Sequence, residues 1–180
     1  MMFKKLLYSF MIFIALGSAV LAGYRIFEPK KNNRETVIST NTKFMVEYEQ
    51  ANQFALSAGD SSTTYFLFCK LDNDNCNYIE TTLYTDLNTT LENKKMEDII
   101  EYVDLGTIDD KKVIETISND WGISNYPAFV SVSVIDNKLV INNSLVWSDD
   151  KPLNTLDILS WLSQNNIYKG EVIEQVTLPW

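Results

Sequence analysis

The sequence predicts an α/β fold: a mixed central sheet with helices on both faces, preceded by an apolar N-terminal transmembrane or signal segment. Three observations predict it. Segments of helical period alternate with short aliphatic and aromatic runs, in the order α-β-α-β-α-β-β-α after residue 38. The last two strand-like runs are separated by Asp136-Asn137, a hairpin signal. Between Trp121 and Val130 a helical pattern stops at Gly122 and a strand pattern starts at Ala128, across the only proline between Phe44 and Lys151, Pro127. A strand–helix–strand unit needs a crossover and gives parallel pairing, whereas the closing hairpin is antiparallel. A mixed sheet covered on both faces is the economical solution. Four segments of helical period exclude a strand-only sandwich.

Residues 1–24 form the first segment. Lys4-Lys5 precede an apolar run from Leu6 to Tyr24, at the short end of what a bilayer core requires. Two readings compete. Leu6–Gly17 can serve as the apolar region of a signal peptide, with Val20-Leu21-Ala22 as its small-residue cleavage site. The run can also be an uncleaved anchor, the favoured reading because it continues past that site. Arg25, Lys30, Lys31 and Arg34 outnumber the two upstream lysines, which taken alone favours a cytoplasmic domain. Export is still the expectation, since a five-residue tail with two lysines is an ordinary signal start. The domain is therefore expected outside a single-pass anchor in the cell membrane, or secreted if cleaved after Ala22. Residues 25–38, with Pro29 and Asn32-Asn33, read as a solvated stalk.

Residues 39–165 carry the periodic pattern. Phe44, Tyr48, Ala51 and Ala55 recur at helical spacing, with caps offered by Ser39 to Thr42 and a stop at Gly59. Thr63 to Cys69 is a short apolar run, read as a buried strand. Asp72-Asn73-Asp74-Asn75 ends it and can cap the next helix. That helix shows Cys76, Ile79, Leu83 and Leu87 in one stripe. Ile99 to Leu105 reads as a second strand. Asp109 and Asp110 open a helix whose buried face is Val113, Ile114, Ile117 and Trp121. Ala128 to Ile135, the Asp136-Asn137 turn and Leu139 to Ile141, extending toward Trp147, form the hairpin. Asn154 and Asp157 cap a final helix through Leu156, Leu159 and Leu162. Residues 166–180 are a tail, with room for a short strand at Glu171–Thr177.

Charge and composition exclude several functions. Residues 44–180 carry eight basic against 22 acidic side chains, so nucleic acid binding, which needs a basic face, is not expected. There is no histidine, which removes histidine-based triads, histidine general bases and most zinc sites. Asp72-Asn73-Asp74-Asn75 superficially suggests a calcium loop. Its sixth position is Asn77 rather than glycine and its twelfth is Leu83 rather than glutamate, so it is rejected. Asn88-Thr89-Thr90 and Asn142-Asn143-Ser144 are formal glycosylation acceptors in an asparagine-rich chain. There is no glycine-rich phosphate loop, and no cofactor or metal is expected.

Gly-Ile-x-x-Tyr-Pro-x-Phe-Val, residues 122–130, resembles the cis-proline segment of the thioredoxin superfamily. The element order matches that fold over about residues 39–165. The resemblance extends to extracytoplasmic thioredoxin-like proteins of Gram-positive bacteria, including the bacteriocin-accessory type. It implies a cis Pro127 facing the pole that carries Asn73 and Cys76, with Tyr126 flanking a groove that holds substrate backbone. Redox members place Cys-x-x-Cys after the first long strand, where a helix N-terminus lowers the first thiol's pKa. Here the spacing is Cys69-x6-Cys76. Placing Cys76 at the family's second cysteine puts Asn73 where the nucleophile belongs, whereas placing it at the first leaves Ile79 where the resolving cysteine belongs.

Three readings of Cys69 and Cys76 stand open: a structural disulfide in an oxidising compartment, an unconventional redox pair, or two reduced core cysteines. Asp72 and Asp74 oppose thiolate formation. Two functions follow. The first is a membrane-tethered, non-catalytic module that binds an exported protein or peptide through Tyr126, Pro127 and Asn73. The second is a thiol–disulfide oxidoreductase acting on exported proteins through Cys76 and Cys69. Oligomeric state is not legible in the sequence.

Overall fold

The computed structural model describes residues 45–91 and 94–170. The expected anchor or signal peptide (1–24), the stalk (25–38) and the Glu171–Thr177 strand lie outside them. Among the described residues no helix is long and apolar enough to cross a membrane.

The chain runs β1 (Met45–Glu47), a 3-10 turn (Tyr48–Gln50), α1 (Ala51–Ser57) and β2 (Thr63–Cys69). A continuous helical stretch follows, with α2 (Asp74–Tyr78), a π turn (Ile79–Leu83) and α3 (Tyr84–Thr90). Then come α4 (Met96–Ile99), β3 (Glu101–Asp104), α5 (Val113–Trp121), β4 (Ala128–Ile135), β5 (Lys138–Val146) and α6 (Thr155–Gln164). The five strands form one sheet in the order β1-β3-β2-β4-β5. β1, β3 and β2 are mutually parallel, while β4 is antiparallel to β2 and β5 to β4. This is the mixed sheet the sequence predicts.

The sheet is buried on both faces, which explains the unbroken apolar run Phe66–Cys69 in its central strand. Leu67, Cys69, Tyr102 and Phe129 pack on one face against Cys76, Ile79, Leu83, Leu87 and the α6 residues Trp161 and Leu162. Phe66, Phe68, Val103 and Val130 pack on the other against Ala51 and Ala55 of α1 and Val113, Ile117 and Trp121 of α5. Gly122 stops α5 at φ +64, a left-handed backbone that glycine adopts without steric cost. Asp136 and Asn137 both take positive φ, as a two-residue hairpin turn requires. The expected cap of α6 is a full capping box between Asn154 and Asp157.

Four expectations change. The first described element is a strand, not the start of a helix: Met45–Glu47 alternates exposed, buried, exposed and pairs with β3. Spacing of three and four residues from Phe44 fits a helix, but Val46 gains more by entering the sheet. The second strand is shorter than Ile99–Leu105, because Met96–Ile99 forms a helical turn and the ladder needs only Glu101–Asp104. The helix expected from Asp109 begins at Val113. The Asp109 carboxylate instead accepts from the Lys111 N–H and holds a turn. Ile114, expected on the buried face of that helix, is 41% exposed.

Candidate functional site

All strand ends that matter for the site meet at one end of the sheet. β2 and β3 finish there, and β4, antiparallel to β2, starts there. Phe68 faces Ala128 in the β2–β4 register, so the next step along the ladder sets Cys69 opposite Pro127. The Tyr126–Pro127 peptide is cis. The Pro127 carbonyl accepts from the Trp147 N–H at 2.9 Å, extending the β4–β5 ladder by one rung. Proline lacks the return donor, which suits this place at the strand's start. Asn125 Nδ2 donates to the Trp147 carbonyl at 3.2 Å and ties the turn to the end of β5.

Cys69 and Cys76 form a disulfide with their Cα atoms 5.7 Å apart, and no cysteine is free. Six residues between a strand end and a helix start close this distance because the loop folds back through Lys70–Asn73. Asn73 is the N-cap of α2: its Oδ1 accepts from the Cys76 N–H at 3.0 Å. The Lys70 backbone N–H donates to Cys76 Sγ at 3.3 Å, and Lys70 Nζ pairs with Asp110. Both cysteines are 0% exposed and belong to the core beneath α2 and α6.

Cys69, Cys76 and Asn73 are thus joined directly, and the register brings Pro127 beside Cys69. Tyr126 is half-buried at the junction of the two cores, packing against both. Sequence reasoning missed two aromatic residues at this end. The exposed ring of Tyr78 sits edge-on to buried Trp147, with centroids 6.2 Å apart. Trp147 Nε1 donates to Asp149 Oδ1 at 3.1 Å. Tyr78 lies off the apolar stripe of its helix, two residues past Cys76, and no periodicity marks it. Glu80 was also missed. It is 4% exposed, in the π turn, among apolar neighbours on the same helix. Burial, and after it the Glu80 charge, pushes the Tyr84 and Tyr102 phenols well above their ordinary pKa.

Chemically, this end presents a cis-proline turn, a half-buried tyrosine, an exposed tyrosine and a fringe of carboxylates. Its two sulfurs lie beneath the surface and are bonded to each other. Among the described residues no group of side chains is arranged to hold a metal ion.

No protein-family model matches the sequence, and no curated protein does. Solved structures do. A thioredoxin of Plasmodium falciparum aligns over 64% of this chain and 80% of its own, at 15% identity and a TM-score of 0.40. A redox protein of Chlamydomonas reinhardtii aligns over 76% of this chain and 41% of its own, at 13% identity and a TM-score of 0.45. A thioredoxin of Thermus thermophilus aligns over 69% of this chain and 87% of its own, at 13% identity and a TM-score of 0.40.

Proposed function

We propose that this protein is a membrane-tethered, extracytoplasmic, thioredoxin-fold binding module. It holds a segment of an exported protein or peptide beside the Tyr126–Pro127 turn and uses Cys69–Cys76 as a structural bond. The observation that carries this reading is the complete burial of both bonded cysteines. Exchange requires an in-line thiolate attack on an exposed sulfur, and neither sulfur is offered to one. Asn73, at the position the resemblance assigns to a nucleophile, spends its side-chain oxygen on capping α2. A persistent disulfide also fits an oxidising compartment, in keeping with export past the apolar N-terminal run.

Pro127 is buried and its carbonyl is taken by the Trp147 N–H, so binding at the turn rests on the aromatic side chains beside it. An extended segment laid across the start of β4 meets the half-buried Tyr126 ring and the exposed Tyr78 ring. Aromatic surfaces of this kind are favoured at contact sites.

Two measurements test the reading. Thiol counting on the native oxidised protein should find no reactive thiol, and insulin reduction should not exceed the reductant-only rate. Turnover abolished by Cys76→Ser would restore the oxidoreductase reading. For binding, an unfolded, carboxymethylated protein immobilised as bait should retain the native chain and release it on Tyr126→Ala or Tyr78→Ala. Equal retention of native and variant chains would remove the groove from the proposal.

A further inference from the structure

We propose that two copies of this protein pair through β5, edge to edge and antiparallel, about a two-fold axis between Asn142 and Asn143. Among the described strands β5 pairs only with β4, and it is an edge of nine residues, against three for the opposite edge β1. From Leu139 to Val146 it carries no charge and no proline, two of the usual protections of a free edge, and its one protective feature is a bulge at Asn142. Val140 and Ile141 on it are 41% and 40% exposed. An edge strand offers a row of unpaired N–H and C=O groups, and the group that satisfies such a row is another strand.

The hydrogen-bond pattern sets the register in which a second copy of the strand would pair. The Trp147–Pro127 rung faces β4, so outward of β4 point the backbones of Val146 and Ser144. On the hairpin side, Lys138 and Ile135 flank the two-residue turn and exchange bonds, so Leu139 and Ile141 point outward. Between the halves lies a bulge: Ser131 pairs with Asn143 but Val132 with Ile141, leaving Asn142 as the extra residue. Its side chain bonds Ser131 and Ser133 of its own sheet. Without the bulge the outward positions would run at a constant step of two. With it they become 139, 141, 144 and 146, which is symmetric about the point between 142 and 143. Side-chain direction agrees, since Leu139 and Val146 pack on the same face and Leu145 on the other. A second copy turned by half a revolution therefore sets Leu139 opposite Val146 and Ile141 opposite Ser144, each pair on one face and hydrogen-bonded. The contact is isologous and closes after two copies.

Charge layout favours the same orientation. The loops 70–75, 104–112 and 147–151, which follow β2, β3 and β5 at the Pro127 end, hold seven aspartates against four lysines. At the opposite end the described segments 58–62, 94–100, 136–138 and 165–170, which include α4, hold four acids against four lysines. Antiparallel pairing lays the acidic end of each copy beside the balanced end of the other. A parallel contact would bring the two acidic ends together.

The test uses the full-length chain in a mild detergent. Ile141 and Ser144 of opposite copies would form a hydrogen-bonded pair with Cα atoms about 5.5 Å apart, within disulfide reach. Ile141→Cys with Ser144→Cys should give a covalent dimer under mild oxidation, whereas the same pair moved to Ser57 and Asn119 should not. Sedimentation should show a dimer that Ile141→Pro and Ile141→Lys both reduce to a monomer. The proline removes an N–H that β4 does not use, so its melting temperature should stay near the native value. A native chain that sediments as a monomer, a dimer unaffected by both variants, or an edge occupied only by an added peptide would overturn the proposal.

Discussion

Removing one sulfur of Cys69–Cys76 relaxes the unfolded chain and leaves a buried thiol. In the chain-entropy account a loop of this size contributes roughly 2–3 kcal/mol. Cys76→Ser is expected to lower the unfolding free energy read from urea titration by that much under oxidising conditions and to change nothing in insulin reduction. The Tyr102 hydroxyl has the opposite character. It is buried with no hydrogen-bond partner among the described residues. Burial holds its proton on, with the Glu80, Asp104 and Asp72 charges adding to the effect. Leaving a polar group unpaired in a core costs about 1–3 kcal/mol. Tyr102→Phe keeps the ring and deletes the cost, so its unfolding free energy should equal or exceed the native one. A drop of more than about 1 kcal/mol would show that the hydroxyl is held.

At the level of elements, α6 closes the face that contains the disulfide, through Ile158, Leu159, Trp161 and Leu162. Its start rests on Asn154 Oδ1 accepting from the Leu156 and Asp157 N–H groups, at 2.9 and 3.0 Å. Asn154→Ala should cost about 1 kcal/mol, and Asn154→Ser should restore most of it. The capping box was legible because Asn and Asp stand three apart before an apolar period. The π turn at Ile79–Leu83 was not. The stripe Cys76, Ile79, Leu83, Leu87 reads as ordinary helix, and its four residues are all buried, yet Ile79–Leu83 winds as a π turn, and Glu80 within it is buried as well. Local spacing tolerates either winding, and the choice rests on what lies beneath.

For the whole molecule, four tyrosines, Tyr48, Tyr65, Tyr84 and Tyr102, hold their protons more firmly than usual, chiefly through burial. Unfolded phenols titrate near 10. Above that pH the unfolded chain releases protons that the folded chain keeps, so stability falls as pH rises past about 10 and is fully present below it. The urea midpoint should be level between pH 7 and 9 and clearly lower at pH 11; an unchanged midpoint at pH 11 would contradict the burial of these rings. The periodic faces all lie after residue 38, so a fragment from Asn33 to the C-terminus is expected to be soluble and to melt cooperatively. A molten or aggregated fragment would mean that the N-terminal run packs into the domain.

By itself the sequence determined most of the apolar faces that are buried and, after the first strand, the order in which the helices and strands come. Thr63–Cys69 and Ala128–Ile135 match the observed strands at both ends, because apolar period, glycine stops and proline placement are local signals. It also marked the cluster Asp72–Asn75 as the cap of the helix that carries Cys76, because a polar cluster ends a strand there, and the structure gives the cap to Asn73. Tertiary structure decided what depends on pairing between distant segments. Met45–Glu47 became a strand only because β3 offers an edge. Cys69 and Cys76, for which three fates were open, became a bond under the surface, because α2 and α6 cover the end of β2. No spacing rule reports depth, and depth separates a structural disulfide from a reactive one.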